Sequence, residues 1–500
     1  MQYQSTRGDK NRLSSAEAIA NGLANDGGLF VPEVFPKLTL GKIKMLITEP
    51  YYKRAAYIIG LFLDDFSDNE LCSYSEVAYN TEGDNRFYSE KITPLKTLNK
   101  DTHFHELWHG PTCAFKDMAL QLMPGLLTAS LRKTGETREV CVLVATSGDT
   151  GKAALESFRD ATGTKVMVFY PKAGVSEVQK LQMTSQSGGN VNVTAVCGNF
   201  DDAQTGVKAI FSDVEFNNKL GNLGYILSSA NSINWGRLVP QIAYYVSAYC
   251  DLIKSGELKL GEKINFCVPT GNFGNILSAY YAEKMGLPIN KLICASNRND
   301  VLTQFINTGV YDRNRPFYTT VSPSMDILVS SNLERLLFEL SEKNGDVVSA
   351  YMKSLSDKGL YTIPSNVRNE LNRVFHSGFC SEEDTMRTIK ETFKNFDYLI
   401  DTHTAVAHKV LNDYRVETND KSISVVMSTA SPFKFCEAVL EALGQPQSAD
   451  GVTLIEKLSD VTGCVIPIPL TSLKNAVPRF ENLVAVSEMK ASVFDFVNGR

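Results

Sequence analysis

The rhythm of apolar and polar positions changes along the chain. Its first hundred residues read as largely helical: Ser14-Ser15-Ala16-Glu17 has the form of a capping box that opens a helix, and the turn Asn25-Asp26-Gly27-Gly28 ends it. From about Glu139 short runs rich in β-branched and aromatic residues take over, at 140–145, 165–170, 191–196 and 224–227. Helical stretches at 150–160 and 176–184 separate some of them. Strand, helix, strand in that order predicts βαβ units and a parallel sheet. The rhythm resumes at 264–268, 291–295, 398–400 and 422–427, with no internal repeat and no low-complexity linker. The expectation is an α/β protein of two parallel-sheet domains with an extra helical N-terminal region. Residues 1–95 would form that region, 131–228 the smaller α/β domain, and 96–130 with 229–500 the larger one.

Composition narrows the function classes. Five hundred residues are far more than one core requires. A hydrophobic content of 43% and a charged content of 21% are ordinary for a globular protein. The net charge of -6 offers no basic excess to neutralise phosphates, so no nucleic-acid partner is expected. No run approaches the ~18 consecutive apolar residues of a membrane span, and Met1-Gln2-Tyr3-Gln4-Ser5-Thr6-Arg7 lacks the apolar core of a signal peptide. Ten cysteines without a CxxC pair read as small buried apolar residues in a reducing compartment. A cytoplasmic enzyme acting on a small molecule is the expectation, as a monomer or homodimer.

Chemistry enters at His109-Gly110-Pro111-Thr112-Cys113-Ala114-Phe115-Lys116-Asp117. A lysine in ordinary surroundings titrates near ~10.4 and is a poor nucleophile. Held among Cys113, Ala114, Phe115 and Met118, the charged form of Lys116 would be disfavoured by desolvation, which is what a Schiff-base lysine needs. A solvated helix lysine is the other reading of this segment. Pro269-Thr270-Gly271-Asn272-Phe273-Gly274-Asn275 follows a strand and opens a helix, so it forms either an anion cup or a tight turn. It matches neither GxGxxG nor GxxxxGK[ST]. Thr146-Ser147-Gly148-Asp149-Thr150-Gly151 repeats the construction, with helix capping as its alternative. Asn231-Ser232-Ile233-Asn234-Trp235-Gly236-Arg237 gathers amides, a hydroxyl and a guanidinium; Arg237 would clamp a phosphate or carboxylate, or form a surface ion pair. Ser428-Thr429-Ala430-Ser431-Pro432 ends another strand, where an ordinary polar turn is the alternative. His105-Glu106-Leu107-Trp108-His109 fits HExxH, but Gly110-Pro111 would break the helix that a zinc site needs, so no metal is expected.

Together, residues 109–117, 147–151, 271–275 and 428–431 resemble threonine synthase of the longer bacterial and fungal branch. Tyr3-Gln4-Ser5-Thr6-Arg7 and residues 22–32, 231–237 and 401–407 extend the resemblance over nearly the whole chain. The resemblance implies a fold type II pyridoxal-phosphate enzyme. It implies Lys116 as the Schiff-base lysine and general base, with Gly271, Asn272, Phe273, Gly274 and Asn275 contacting pyridoxal 5'-phosphate, chiefly at its phosphate. Thr429 would face the pyridine nitrogen. Ser147, Asp149 and Thr150 would receive the substrate α-carboxylate, and Asn231, Ser232 and Arg237 would lie near the substrate phosphate. The implied reaction converts O-phospho-L-homoserine and water to L-threonine and phosphate. A phospho-lyase releasing 2-oxobutyrate uses the same early steps and is the alternative. The chain departs from the family pattern at Asp149, where Asn is usual, at Thr402 for Pro, and at Ser431 for His.

Overall fold

The computed structural model describes residues 1–83, 87–146, 148–172, 175–445 and 451–499. At the N-terminus β1 (Tyr3–Ser5) and β2 (Phe30–Pro32) form a short antiparallel pair. Between them the predicted helix runs over Ser15–Asn21, with a complete capping box from Ser14 and Glu17. A hairpin of β3 (Leu95–Asn99) and β4 (Thr102–Glu106) follows. Next come β5 (Glu139–Ala145), β6 (Thr164–Pro171), β7 (Val191–Cys197) and β8 (Tyr225–Ser229), each within two residues of the runs read from the sequence. Nearly every residue of β5 and β6 is buried, as continuous apolar strands covered on both faces require.

The second series is β9 (Ile264–Pro269), β10 (Ile289–Ser296), the small antiparallel pair β11 (Val310–Asp312) and β12 (Leu360–Thr362), then β13 (Phe375–Phe379) and β14 (Ser424–Ser428). A last strand, β15, spans Leu483–Ala485. The larger sheet has the order β13-β10-β9-β14-β4-β3 and is parallel except at the β3 edge. The smaller sheet, β15-β7-β6-β5-β8, is parallel throughout. The far C-terminal segment, grouped by sequence with the larger unit, thus supplies an edge strand to the smaller one. Its helix Met489–Val497 packs on the helix Phe200–Ser212 of that unit.

One expected strand is absent. Residues 398–400 are buried coil, and their place as a further parallel strand is taken by β13, paired with β10. Tyr398, Leu399 and Ile400 are apolar because they sit in the core. Their backbone leads into Asp401, the N-cap of the helix Thr402–Thr418. Periodicity cannot separate a buried coil of three residues from a strand.

The helix Trp235–Lys254 is buried almost end to end, in keeping with its largely apolar sequence. It packs on Gly274–Met285 and on Tyr51–Gly60, joining the N-terminal helices to the larger sheet. No helix among the described residues is long and apolar enough to cross a membrane. The carboxyl ends of β4, β5, β9 and β14 carry the loops singled out by sequence, at the edge where open α/β sheets bind ligands.

Candidate active site

Lys116 reaches the site because its loop is stitched to the exit of β14. Phe115 N–H donates to Thr429 O at 2.8 Å, Ser431 N–H to Cys113 O at 3.1 Å, and Ala114 bridges Ala430. Asp117, fully buried, accepts from Thr112 N–H at 2.9 Å and Thr112 Oγ1 at 2.7 Å, and burial pushes its carboxyl up to about 6. Cys113 holds a left-handed φ of 56°, a strained conformation for a non-glycine residue at the turn that aims the lysine. Lys116 precedes the helix Asp117–Leu120, and its side chain is 11% exposed. Its Nζ lies 3.3 Å from Ser324 Oγ and 3.4 Å from Asp149 Oδ2. Desolvation lowers its proton affinity; Asp149 opposes this, while Lys434 and Arg237 add to it, and the net shift is downward. The solvated-lysine reading is therefore excluded.

The loop after β5 turns at Gly148, whose φ of 147° and crowding suit only glycine: a Cβ there would lie 2.6 Å from the Gln179 side chain. Ser147 lies outside the described residues. Thr146 Oγ1 accepts from Gly148 N–H and Gly151 N–H, both at 3.0 Å. Asp149 begins the helix Asp149–Phe158, with Thr150 half-buried beside it. Lys434 Nζ is 2.6 Å from Asp149 Oδ1, and Gln179 Nε2 donates to the same oxygen at 2.7 Å. Burial alone would raise this carboxyl, but Lys434 and then Lys116 hold it well below the ordinary carboxylate range.

The loop after β9 is clamped from outside. A Cβ on Gly271 would lie 2.6 Å from Ser324 O, so only glycine lets the two backbones approach. Ser330 Oγ donates to Gly271 O at 2.7 Å, and Asn332 donates to Asn272 O through its N–H at 3.1 Å and its Nδ2 at 2.9 Å. Asn332 Nδ2 also reaches Ser232 Oγ at 3.1 Å, which ties this loop to the 231–237 segment. Phe273, with φ 65°, turns the chain into the helix Gly274–Met285. Asn275 Oδ1 accepts from Tyr244 and Tyr245 hydroxyls at 2.6 and 2.5 Å, while its Nδ2 is buried without a partner.

Arg237 is buried, 5% exposed, not a surface ion pair. Its Nη1 donates to Ala230 O at 2.7 Å, its Nε has no partner, and desolvation lowers its pKa to about 10. Such an uncompensated cation is costly unless an anion joins it. Asn231 and Ser232 are half-buried in the turn before the helix Trp235–Lys254, which Asn234 caps. Thr429 is buried at the end of β14, next to the Lys116 loop.

Sequence reasoning passed over Ser324, Gln179, Asn332 and Lys434, which have no distinctive spacing. His403 falls in the noticed segment 401–407 without an assigned role. Its Nε2 accepts the Ser324 N–H at 3.1 Å, so its Nδ1 carries the proton donated to Asp401 Oδ2 at 2.7 Å. The HExxH residues start on β4, not on a helix, and His105 Nε2 meets Thr93 O at 3.1 Å.

Three family models match the chain: Threonine synthase N terminus over residues 2–79, Pyridoxal-phosphate dependent enzyme over 87–357, and Threonine synthase, C-terminal over 404–477. The human protein Threonine synthase-like 1 is 43% identical over 439 residues, covering 86% of this chain and 58% of its own length. The chain thus spans less than two thirds of that relative. The threonine synthase of Pseudomonas aeruginosa is 40% identical over 453 residues, covering 89% of this chain and 91% of that protein. The crystal structure of PLP-bound threonine synthase from Brucella melitensis superposes with a TM-score of 0.87 at 34% identity, covering 99% of both chains.

Proposed function

The chain belongs to the threonine synthase family of fold type II pyridoxal-phosphate enzymes, and from that premise we propose that it converts O-phospho-L-homoserine and water to L-threonine and phosphate. Its cofactor is pyridoxal 5'-phosphate. The residues present suit that group. Lys116 offers a buried amine of lowered proton affinity for the aldehyde. The helix starting at Gly274 directs its first N–H groups away from any intrahelical acceptor, a setting for the phosphate ester, and the unpartnered Asn275 Nδ2 supplies a further donor. The Thr429 hydroxyl suits the ring nitrogen without making it a full pyridinium.

When bound, the cofactor supplies a sink for the electron pair left at the substrate carbons. Lys116 Nζ takes the proton from Cα of the substrate, returns it to the conjugated system that the cofactor would supply, and, neutral again, takes the proton from Cβ, work that only the neutral amine performs. Ser324 Oγ, 3.3 Å away, steadies that nitrogen between transfers. Asp149 and Thr150 line the side expected to receive the α-carboxylate. There Asp149 repels the carboxylate unless its charge is neutralised by a partner, and Lys434 is that partner. Arg237, with Asn231 and Ser232, takes the phosphate that leaves from Cγ. Burial of the whole cluster strengthens each of these charge interactions and limits water to the step that needs it.

The observation that carries this reading is the buried Lys116 amine, held between Asp149 and Ser324 beside an uncompensated Arg237. The test is to incubate the purified protein with O-phospho-L-homoserine and quantify threonine, phosphate and 2-oxobutyrate. Threonine and phosphate in equal amounts are expected. Keto acid in place of threonine would assign the phospho-lyase reaction, and no turnover would remove the substrate assignment.

A further inference from the structure

Lys434 is a fully buried lysine that no step above uses as acid, base or ligand. It ends the short turn Pro432–Lys434, six residues beyond the last residue of β14, and its Nζ has two partners: Thr112 O at 2.8 Å and Asp149 Oδ1 at 2.6 Å. The other oxygen of that carboxylate faces Lys116 Nζ at 3.4 Å. Two lysines therefore share one aspartate, and they share it unequally. Oδ1 holds the short contact to Lys434 and the 2.7 Å hydrogen bond from Gln179, while Oδ2 holds only the long contact to Lys116.

We propose that Lys434 is a positioning residue for the reaction: it binds the charge of Asp149 and thereby keeps the Lys116 amine free to act as a base.

A lone aspartate 3.4 Å from a buried amine would draw a proton onto it, because opposite charges in a poorly solvated site attract strongly. A protonated Lys116 is neither nucleophile nor base. With Lys434 on the opposite oxygen, the aspartate and its partner together carry no net charge, and the pull on Lys116 is weakened. The charged groups that face Lys116 are then Asp149 from the helix Asp149–Phe158, Lys434 from the β14 loop and Arg237 from the helix Trp235–Lys254; Ser324 contributes only a hydroxyl. Two of the three charges are cations that disfavour a third, and the single anion is already held by one of them. Gln179 reinforces the arrangement by holding the Asp149 carboxylate in the orientation that gives Oδ1 to Lys434. The Thr112 carbonyl anchors the Lys434 ammonium to the same loop that carries Lys116, so the distance between the two lysines is fixed by one turn.

This inference rests on Lys116 being the reactive lysine, and the experiment separates the two ideas. The readouts are the pH titration of the cofactor absorption band in the holoenzyme and the acid limb of kcat/KM. Lys434→Met is expected to raise both midpoints by at least one pH unit, a tenfold gain in proton affinity at the Lys116 nitrogen. Asp149→Asn is expected to lower them, since a cation then stands nearby without its anion. The double variant removes both charges and is expected to return to within half a unit of the unsubstituted protein. A merely structural role would not produce shifts of opposite sign that cancel. Should Lys434→Met fold poorly because it leaves a buried carboxylate unpaired, the comparison of Asp149→Asn with the double variant decides alone: the double must lie higher. Equal midpoints in those two proteins would overturn the proposal. Retention of the cofactor band in Lys116→Ala would instead overturn the lysine assignment on which it rests.

Discussion

At the scale of single residues, the site is governed by desolvation. Lys116, Asp149 and Arg237 are all buried, and each departs from its ordinary titration in the direction its neighbours dictate. Arg237 makes the sharpest case, because a buried guanidinium whose Nε is bare and which pairs with no carboxylate among the described residues is a site for an anion. Replacing it by alanine is expected to raise KM for the phosphorylated substrate roughly tenfold or more, about 1.4 kcal/mol of lost binding, with the cofactor still bound. Steady-state kinetics check this, and an unchanged KM would reassign Arg237 to structure. The sequence singled out Lys116 and Arg237 because each stands in a short segment of unusual composition. Lys434 was not, since its partner Asp149 lies far back in the chain, and the two meet only because the loops after β5 and β14 face each other from different sheets. Gln179 and Asn332 were missed for the same reason: an amide that holds a loop has no local signature.

At the scale of elements, strand–turn–helix junctions carry the function, and these were the parts that the apolar rhythm located best. The runs at 140–145 and 165–170 emerged as β5 and β6, and the loops that follow the strands point at one another across the two sheets. The failures have local causes. Residues 398–400 are apolar because they are buried, not because they are extended in a sheet. Strand β13, with His376, Ser377 and Gly378 at its centre, has too polar a face to look like a parallel strand. The junction at Gly271 yields a direct prediction. Gly271→Ala would place a methyl 2.6 Å from Ser324 O, so the cup at 271–275 or the Ser324 turn must shift. Cofactor affinity, followed by absorbance titration of the resolved protein, is expected to fall at least tenfold, about 1.4 kcal/mol. Undiminished affinity would mean that the cofactor phosphate does not depend on this cup.

At the scale of the whole molecule, two buried histidines set how stability responds to acid. Desolvation depresses His105 to about 3 and His408 to about 4. The unfolded chain therefore binds more protons than the folded one below pH ~6.5, and stability falls as pH drops from there through those values. Each histidine contributes about 1.4 kcal/mol per pH unit in that window. Asp117 works the other way, because its folded value of about 6 lies above the unfolded one, so its share of stability is lost as pH rises through 6. His103 and His376, also lowered by burial, add to the loss on acidification, while Asp326, Glu339 and Glu382, raised by burial, oppose it alongside Asp117. Urea unfolding at several pH values should show the His408 share, with a slope of stability against pH lower by about one share in His408→Gln; an identical slope in that variant would contradict the assignment. The division into two parallel sheets was legible from strand spacing, whereas the return of β15 to the smaller sheet was not, because its partner β7 lies far back in the chain. The chemistry of the site turns on which amine carries the cofactor. Borohydride reduction of the holoenzyme, proteolysis and mass spectrometry answer that directly. The pyridoxyl phosphate mass is expected on the peptide containing Lys116; finding it on Lys434, Lys152 or any other lysine would contradict the account.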